Sequence, residues 1–116
     1  MDVISVLQKI KAHPGYRDAG MVLIHNGTVR ATSRKGMPVS TLVLKPDRAK
    51  LNEIVSVMKR RTGIIEIIAE VNEGTLVPGD DIMIIAVAGD YRENVFPVLR
   101  ETIELVKSNV TEKLEM

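Results

Sequence analysis

The chain has 116 residues and a formal net charge of +1, with 45% hydrophobic and 27% charged residues. This length fits one domain with a modest core, and the near-neutral charge gives no general attraction for polyanions. The sequence contains no cysteine, which excludes disulfides, thiolate metal sites and thiol catalysis. No apolar run approaches the roughly 18 residues that span a bilayer, and the first residues lack the cationic start of an export signal. We therefore expect a single cytoplasmic domain over residues 1–116.

Aromatic side chains are limited to Tyr16, Tyr91 and Phe96. The core must therefore be built from aliphatic side chains. Proteins that bind single-stranded nucleic acids stack bases on aromatic platforms, so the composition argues against that class.

The chain begins with a predicted helix and a predicted strand. Residues 3–10 carry apolar side chains at helical spacing, and the segment His13-Pro14-Gly15 stops the helix. The apolar run that starts at Met21 and continues to Arg30 predicts a buried strand, in which Gly27 indicates a bulge or a close backbone approach. Residues 31–38 are polar, cationic and marked by glycine and proline, which predicts a loop.

The middle of the chain predicts strand, helix and strand. Residues 39–44 alternate as a second strand. Pro46-Asp47 opens a helix that ends at Gly63. Residues 64–71 give the clearest strand, with one face formed by Ile65, Ile67, Ala69 and Val71.

After turns at 72–74 and 78–80, residues 82–88 predict a continuous apolar strand. A last helix then places on its buried side Phe96, Leu99, Ile103 and Val106. Two starts for this helix are open. Asp90 and Glu93 resemble a capping box, but that start leaves Pro97 inside the helix, which a start at Asn94 avoids.

The element order is helix, strand, strand, helix, strand, strand, helix. Paired strands with single helices at the N-terminus, in the middle and at the C-terminus predict an α+β fold with a mostly antiparallel sheet. No internal repeat or long linker divides the chain.

The residues that could carry chemistry are few. His13 precedes a Pro-Gly turn and His25 lies inside an apolar strand. We therefore predict neither a metal site nor a bound cofactor. For His25 we favour a hydrogen-bonded structural histidine over a functional one.

The cations suggest more. Arg30 ends the first strand, Arg34 and Lys35 follow on the loop, and Arg92 begins the last helix. Two lysines, Lys107 and Lys113, lie near the end of the sequence. Strand end, loop and helix start could meet at one edge of the sheet and bind a phosphate or carboxylate. The alternative is scattered surface charge, which spacing alone favours.

Four segments match, in order, the motifs of one family. AGMVLIHNGTVR at 19–30 is similar to an apolar strand that ends in G-[TK]-V-R, and GTLVPGD at 74–80 to a G-x-L-x-[PV]-G-[DE] turn. The segment IIAVAGDYRENVF at 84–96 is similar to an apolar strand followed by a His-Arg pair and a helix that opens with x-x-[AV]-F. The segment Leu105-Val106-Lys107 is similar to the Leu-Lys near the end of that helix. Across residues 18–110 the chain thus resembles the large, catalytic subunit of molybdopterin synthase.

The resemblance implies an α/β hammerhead fold, a homodimer and a role in molybdenum cofactor biosynthesis. It implies a small ubiquitin-like sulfur carrier as partner, whose Gly-Gly end carries a thiocarboxylate. Sulfur would pass from that group to a cyclic pyranopterin monophosphate. Cysteine is not needed, because the sulfur arrives on the partner.

The resemblance also implies site residues. Arg30 and Arg92 match family arginines and would bind substrate, with Arg34 and Lys35 beside them, and Lys107 matches the first of two catalytic lysines. The second lysine is replaced by Leu114, although Lys113 would serve if the register slips by one residue.

Two family histidines are also replaced. Tyr91 stands before Arg92, and Val71-Asn72 replaces a second His-Arg pair. Two functions follow as alternatives. The chain is either a sulfur-inserting synthase subunit or a catalytically degenerate member that acts as a binding or regulatory dimer.

Overall fold

The structure, a computed structural model, describes residues 1–115, with side chains described for residues 1–111. Its elements are α1 (Val3–Lys11), a short 3-10 turn (Tyr16–Asp18), β1 (Met21–Thr28), β2 (Leu42–Pro46), α2 (Arg48–Met58), β3 (Ile64–Val71), β4 (Gly74–Leu76), β5 (Asp81–Gly89), α3 (Arg92–Asn109) and β6 (Thr111–Glu115). The predicted α+β class and the three helix positions are confirmed.

The strands form two three-stranded sheets, in the orders β1-β5-β3 and β4-β2-β6. All their pairings are antiparallel. In the first sheet Met21 pairs with Gly89 and Thr28 with Asp81, and the register shifts between Gly27 and Thr28. The bulge predicted from Gly27 is therefore present.

The central strand β5 is buried on both faces, which explains its continuous apolar run. One face packs against α3 and contributes Met83, Ile85 and Val87 to the larger core, which also contains residues of α2. The other face, with Ile84, Ala86 and Ala88, packs against α1 residues Val6 and Ile10.

Aspartates begin the first two helices. The Asp2 carboxylate accepts a hydrogen bond from the Ser5 N–H at 2.7 Å, and Asp47 accepts one from the Lys50 N–H at 3.0 Å. Each satisfies a donor that the first helical turn leaves free. The predicted opening of α2 at Pro46-Asp47 is thus confirmed.

α3 starts close to the expected Asp90 position and not at Asn94, but without the expected capping box. Tyr91 is the N-cap residue and Arg92 begins the helix, so Pro97 lies inside it. The Asp90 carboxylate accepts hydrogen bonds from the Tyr91 N–H and the Asn94 amide, at 2.6 and 2.9 Å. The Asn94 bond first, and then the Tyr91 bond, lowers the pKa of Asp90 below its ordinary value. No capping box with Glu93 forms at this helix start.

Two predicted faces were partly wrong. On α3 the buried residues are Val95, Val98, Leu99, Thr102 and Val106, while Phe96 is 51% exposed. On β3 the register shifts between Ile64 and Glu66, so Ile65 packs with the α1 core and not beside Ile67. A one-residue shift moves a side chain to the opposite face because strand side chains alternate.

Three boundaries also moved. The second strand begins at Leu42 and not at residue 39. α2 ends at Met58, and a turn leads to Gly63, whose φ of 77° suits glycine. β4 and β6 were not predicted, and both pair with β2. None of the described helices is both long and apolar enough to cross a membrane.

Candidate functional site

The end of β1 and the loop after it form one closed unit. The Arg30 guanidinium donates hydrogen bonds to the carbonyl oxygens of Thr32 and Ser33, at 3.2 and 3.1 Å. The loop closes on itself through the Ser33 N–H to the Met37 carbonyl and the Val39 N–H to the Ala31 carbonyl, both at 2.8 Å. The 31–38 segment is therefore a hydrogen-bonded turn fixed by Arg30.

This turn encloses a pocket of about 230 Å³. Arginines and hydroxyl groups form its polar wall, supplied by Thr28, Arg30, Thr32, Ser33 and Arg34, and apolar side chains form the rest, Val29, Val39, Leu42 and Ile82. Guanidinium and hydroxyl donors beside an apolar floor suit an anionic group attached to an uncharged ring or chain.

A second pocket of about 420 Å³ lies between β1 and α3. Its apolar lining consists of Leu23, Phe96, Leu99 and Ile103, and its charged rim of Arg34, Arg100, Glu104 and Lys107. Arg34 lines both pockets, so the two cavities adjoin at that side chain. The Arg100 guanidinium donates a hydrogen bond to the Glu104 carboxylate at 3.2 Å. Within residues 1–111, the other two cations of this rim, Arg34 and Lys107, form no ion pair with a carboxylate.

Lys107 lies in the last turn of α3 and is exposed. Within residues 1–111 its ammonium makes no ion pair or hydrogen bond. A lysine in that position is available to a bound ligand as a proton donor or as a counter-charge. The structure therefore joins three sequence-predicted residues in two adjoining pockets: Arg30, Arg34 and Lys107.

The remaining predicted residues are placed differently. Lys35 is exposed on the loop and lines neither pocket formed by residues 1–111. Lys113 pairs through its backbone with Leu44 of β2, and its side chain lies outside the described part of the chain.

Arg92 lies far from Arg30 within one chain, so the expectation that the two meet was wrong. Arg92 follows the Gly89 end of β5, which pairs with Met21, whereas Arg30 follows the Thr28 end of β1. The eight-residue strand separates these ends by about 24 Å. The Arg92 guanidinium instead faces Glu93 at 3.6 Å.

Sequence reasoning misjudged His25. Its Nε2 is buried and has no hydrogen-bond partner, the one such side-chain atom found in residues 1–111. Burial first, and then the Lys107 charge, lowers the pKa of His25 below its ordinary 6.5. A hydrogen-bonded histidine was predicted, but Nε2 has no hydrogen-bond partner within residues 1–111. The neighbouring charge that acts on the imidazole is that of Lys107.

Sequence reasoning also missed Arg100, Glu104 and the exposed position of Phe96. These residues recur with Lys107 at intervals of three or four along α3, which places them on one helix face. The sequence spacing does place these residues on one face of the helix, but Phe96 on that face was predicted to be buried in the core.

A sequence model of the MoaE protein family matches residues 1–109. The chain belongs to the MoaE family. This membership assigns it to molybdenum cofactor biosynthesis, in the family of the large subunit of molybdopterin synthase. A comparison with curated protein sequences finds no match.

Solved structures of MoaE proteins share the fold. Molybdopterin synthase from Staphylococcus aureus is 22% identical with a TM-score of 0.81, and the match covers 100% of this chain and 85% of that one. The MoaE protein from Burkholderia ambifaria is 18% identical (TM-score 0.77; 99% and 83% covered). In Helicobacter pylori a complex of subunits 1 and 2 of molybdopterin-converting factor contains a chain with 18% identity (TM-score 0.76; 99% and 78% covered).

Proposed function

We propose that this MoaE protein is an active large subunit of molybdopterin synthase. It inserts sulfur from the thiocarboxylate of a small ubiquitin-like carrier into a cyclic pyranopterin monophosphate. The observation that carries the proposal is the convergence of Arg30, Arg34 and Lys107 on two adjoining pockets. The cytoplasmic setting expected from the sequence belongs to the same proposal.

The two pockets suit the two anions of this reaction. The smaller one offers guanidinium and hydroxyl donors for the substrate phosphate. The larger one is an apolar groove that ends at Lys107, which suits a narrow Gly-Gly tail with a charged end. The shared Arg34 then lies between phosphate and thiocarboxylate. The carrier's sulfur replaces an oxygen on the pterin, and Lys107 supplies the positive charge or the proton with which that oxygen leaves as water. A second water then cleaves the carrier's carbon–sulfur bond and leaves a carboxylate on the carrier.

We also propose that the chain acts as a symmetric homodimer. Arg92 matches a family substrate-binding residue, yet one chain holds it at the opposite end of β1 from Arg30. In a dimer with two-fold symmetry, Arg92 of a second copy can approach the first copy's pockets. The dimer therefore gives Arg92 a role that a single chain does not allow.

A mixing experiment tests this arrangement. The Arg92→Ala and Lys107→Ala variants are prepared separately and each is assayed with thiocarboxylated carrier and cyclic pterin. The two are then combined under conditions that exchange subunits. If Arg92 and Lys107 of different copies share a site, each mixed dimer contains one intact site and turnover partly returns. If both residues act within one chain, the mixture stays as inactive as its components.

The degenerate alternative has one observation in its favour: Tyr91, 67% exposed, occupies the position of a family histidine beside Arg92. This alternative predicts that the wild-type protein binds the carrier but forms no dithiolene product. Turnover above the uncatalysed rate excludes it.

A further inference from the structure

Two observations about His25 are not used by the proposed function. Its Nε2 is buried without a partner. It lies two residues from Leu23 on the α3 side of β1, and Leu23 lines the groove that ends at Lys107. An unpaired buried polar nitrogen destabilises the fold by roughly 1–3 kcal/mol. Its presence in a folded protein therefore calls for an explanation.

Gly27 provides the space for this ring. A Cβ at position 27 would lie 3.3 Å from His25 Nε2 and 3.4 Å from Met83 Cγ. The imidazole therefore lies over Gly27, the one residue of β1 without a side chain, and Nε2 is directed along β1 toward its Arg30 end. This orientation holds the unpartnered nitrogen in a defined place near the groove between β1 and α3.

The charged groups of the neighbouring groove between β1 and α3 come from two elements. α3 contributes Arg100, Glu104 and Lys107, and the loop contributes Arg34. On β5 the neighbouring side chains, Met83 and Ile85, are apolar. Arg100 and Glu104 pair with each other, and Lys107 is the cation whose charge acts on the imidazole.

We propose that His25 is a positioning residue for Lys107, with its uncharged imidazole accepting a hydrogen bond at Nε2 from the Lys107 ammonium. Lys107 has a flexible stem and three donors, and none of them is engaged within residues 1–111. One N–H directed to Nε2 fixes the ammonium and leaves two donors for the ligand. The imidazole then carries its proton on Nδ1.

The lowered pKa of His25 agrees with this role, because an imidazole that stays neutral near pH 7 keeps its acceptor. The inference rests on the proposed function, since Lys107 needs positioning only if it acts on a ligand. Its physical core, the pairing of His25 with Lys107, is separable from that function.

The first arm of the test measures the pair without turnover. Imidazole nitrogen NMR of the full chain, titrated with pH, gives the tautomer and pKa of His25, and a His13→Gln variant assigns its signals. We expect the Nδ1–H tautomer and a pKa below 6.5. Lys107→Met should raise that pKa, and Lys107→Arg should keep it low. An Nε2–H tautomer, or no response to Lys107→Met, overturns the proposal.

The second arm measures turnover. His25→Phe keeps a ring but removes the acceptor, and it should lower kcat on the order of tenfold with KM little changed. His25→Gln offers a carbonyl acceptor and should recover part of the loss. Thermal unfolding of both variants checks that they fold. A His25→Phe protein with wild-type kcat overturns the proposal. A wild-type protein without turnover contradicts the proposed function, and the NMR arm still decides whether the pair exists.

Discussion

Lys107 is the residue on which the proposed sulfur transfer depends most. It ends the groove between β1 and α3 and is free of carboxylate partners within residues 1–111. Lys107→Ala should lower turnover on the order of a hundredfold or more, the usual cost of losing a positioned acid or base. Because the side chain is exposed, thermal stability should be nearly unchanged. Lys11→Ala is the matched control, since Lys11 is also an exposed lysine in the last turn of a helix, but on the other face of the sheet.

His25 gives a second prediction, on stability. Its folded-state pKa lies below the ordinary 6.5 because of burial and the Lys107 charge. At a pH between those two values, His25 binds more protons in the unfolded chain than in the folded chain. Its contribution to the free energy of unfolding therefore falls as the pH drops below about 6.5, and it levels off below the folded-state pKa. Urea unfolding at several pH values measures the slope. His25→Phe should remove this contribution, and an unchanged slope in that variant would contradict the assignment.

Some site residues could be predicted from the sequence and others could not, for physical reasons. Arg30, Arg34 and Lys107 were identified from residue type and motif, and the fold brings them together. Arg92 was misplaced because β1 and β5 are antiparallel over their whole length, a long-range register that spacing does not contain. Phe96 was assigned to the core because one helix face carries both buried and groove-lining residues.

At the scale of elements, Gly63 fixes the point where β5 passes into α3. Gly63 has φ 77°, and a side chain there would collide with the Asp90 carboxylate and the Asn94 amide. Gly79 has φ 95° but open space around it. Gly79→Ala should cost roughly 1–2 kcal/mol from backbone strain alone. Gly63→Ala should cost about 1–3 kcal/mol more because of overpacking.

Urea denaturation of the two glycine variants gives this comparison directly. Equal destabilisation would show that the contacts at the start of α3 contribute nothing beyond backbone strain. Because Asp90 precedes Arg92 by two residues, a loosened junction should also impair whatever Arg92 binds.

Elements differed in how far sequence could predict them. The run in β5 was found because both of its faces are buried, and α1 and α2 because their spacing and caps agree. β4 has three residues and β6 reads as the polar sequence TEKLE. Both segments form strands because they pair with β2. Pairing with a distant segment leaves no pattern of alternating apolar residues in the sequence of β4 or β6.

At the scale of the whole molecule, the proposed dimer explains the distribution of cations. One chain collects Arg30, Arg34 and Lys107 at one end of the first sheet and places Arg92 at the other. Sedimentation should therefore show a dimer at micromolar concentration. A monomer would leave Arg92 without access to the pockets and would contradict the shared site.

The transfer of sulfur itself tests the central claim most directly. The purified chain is incubated with a thiocarboxylated carrier and cyclic pyranopterin monophosphate, and mass spectrometry follows carrier and pterin in a single turnover. We predict that the carrier loses its sulfur as the pterin gains it, and that Lys107→Ala slows both changes while Lys11→Ala slows neither. A carrier that binds the chain and keeps its thiocarboxylate, with the pterin unchanged, would contradict the account.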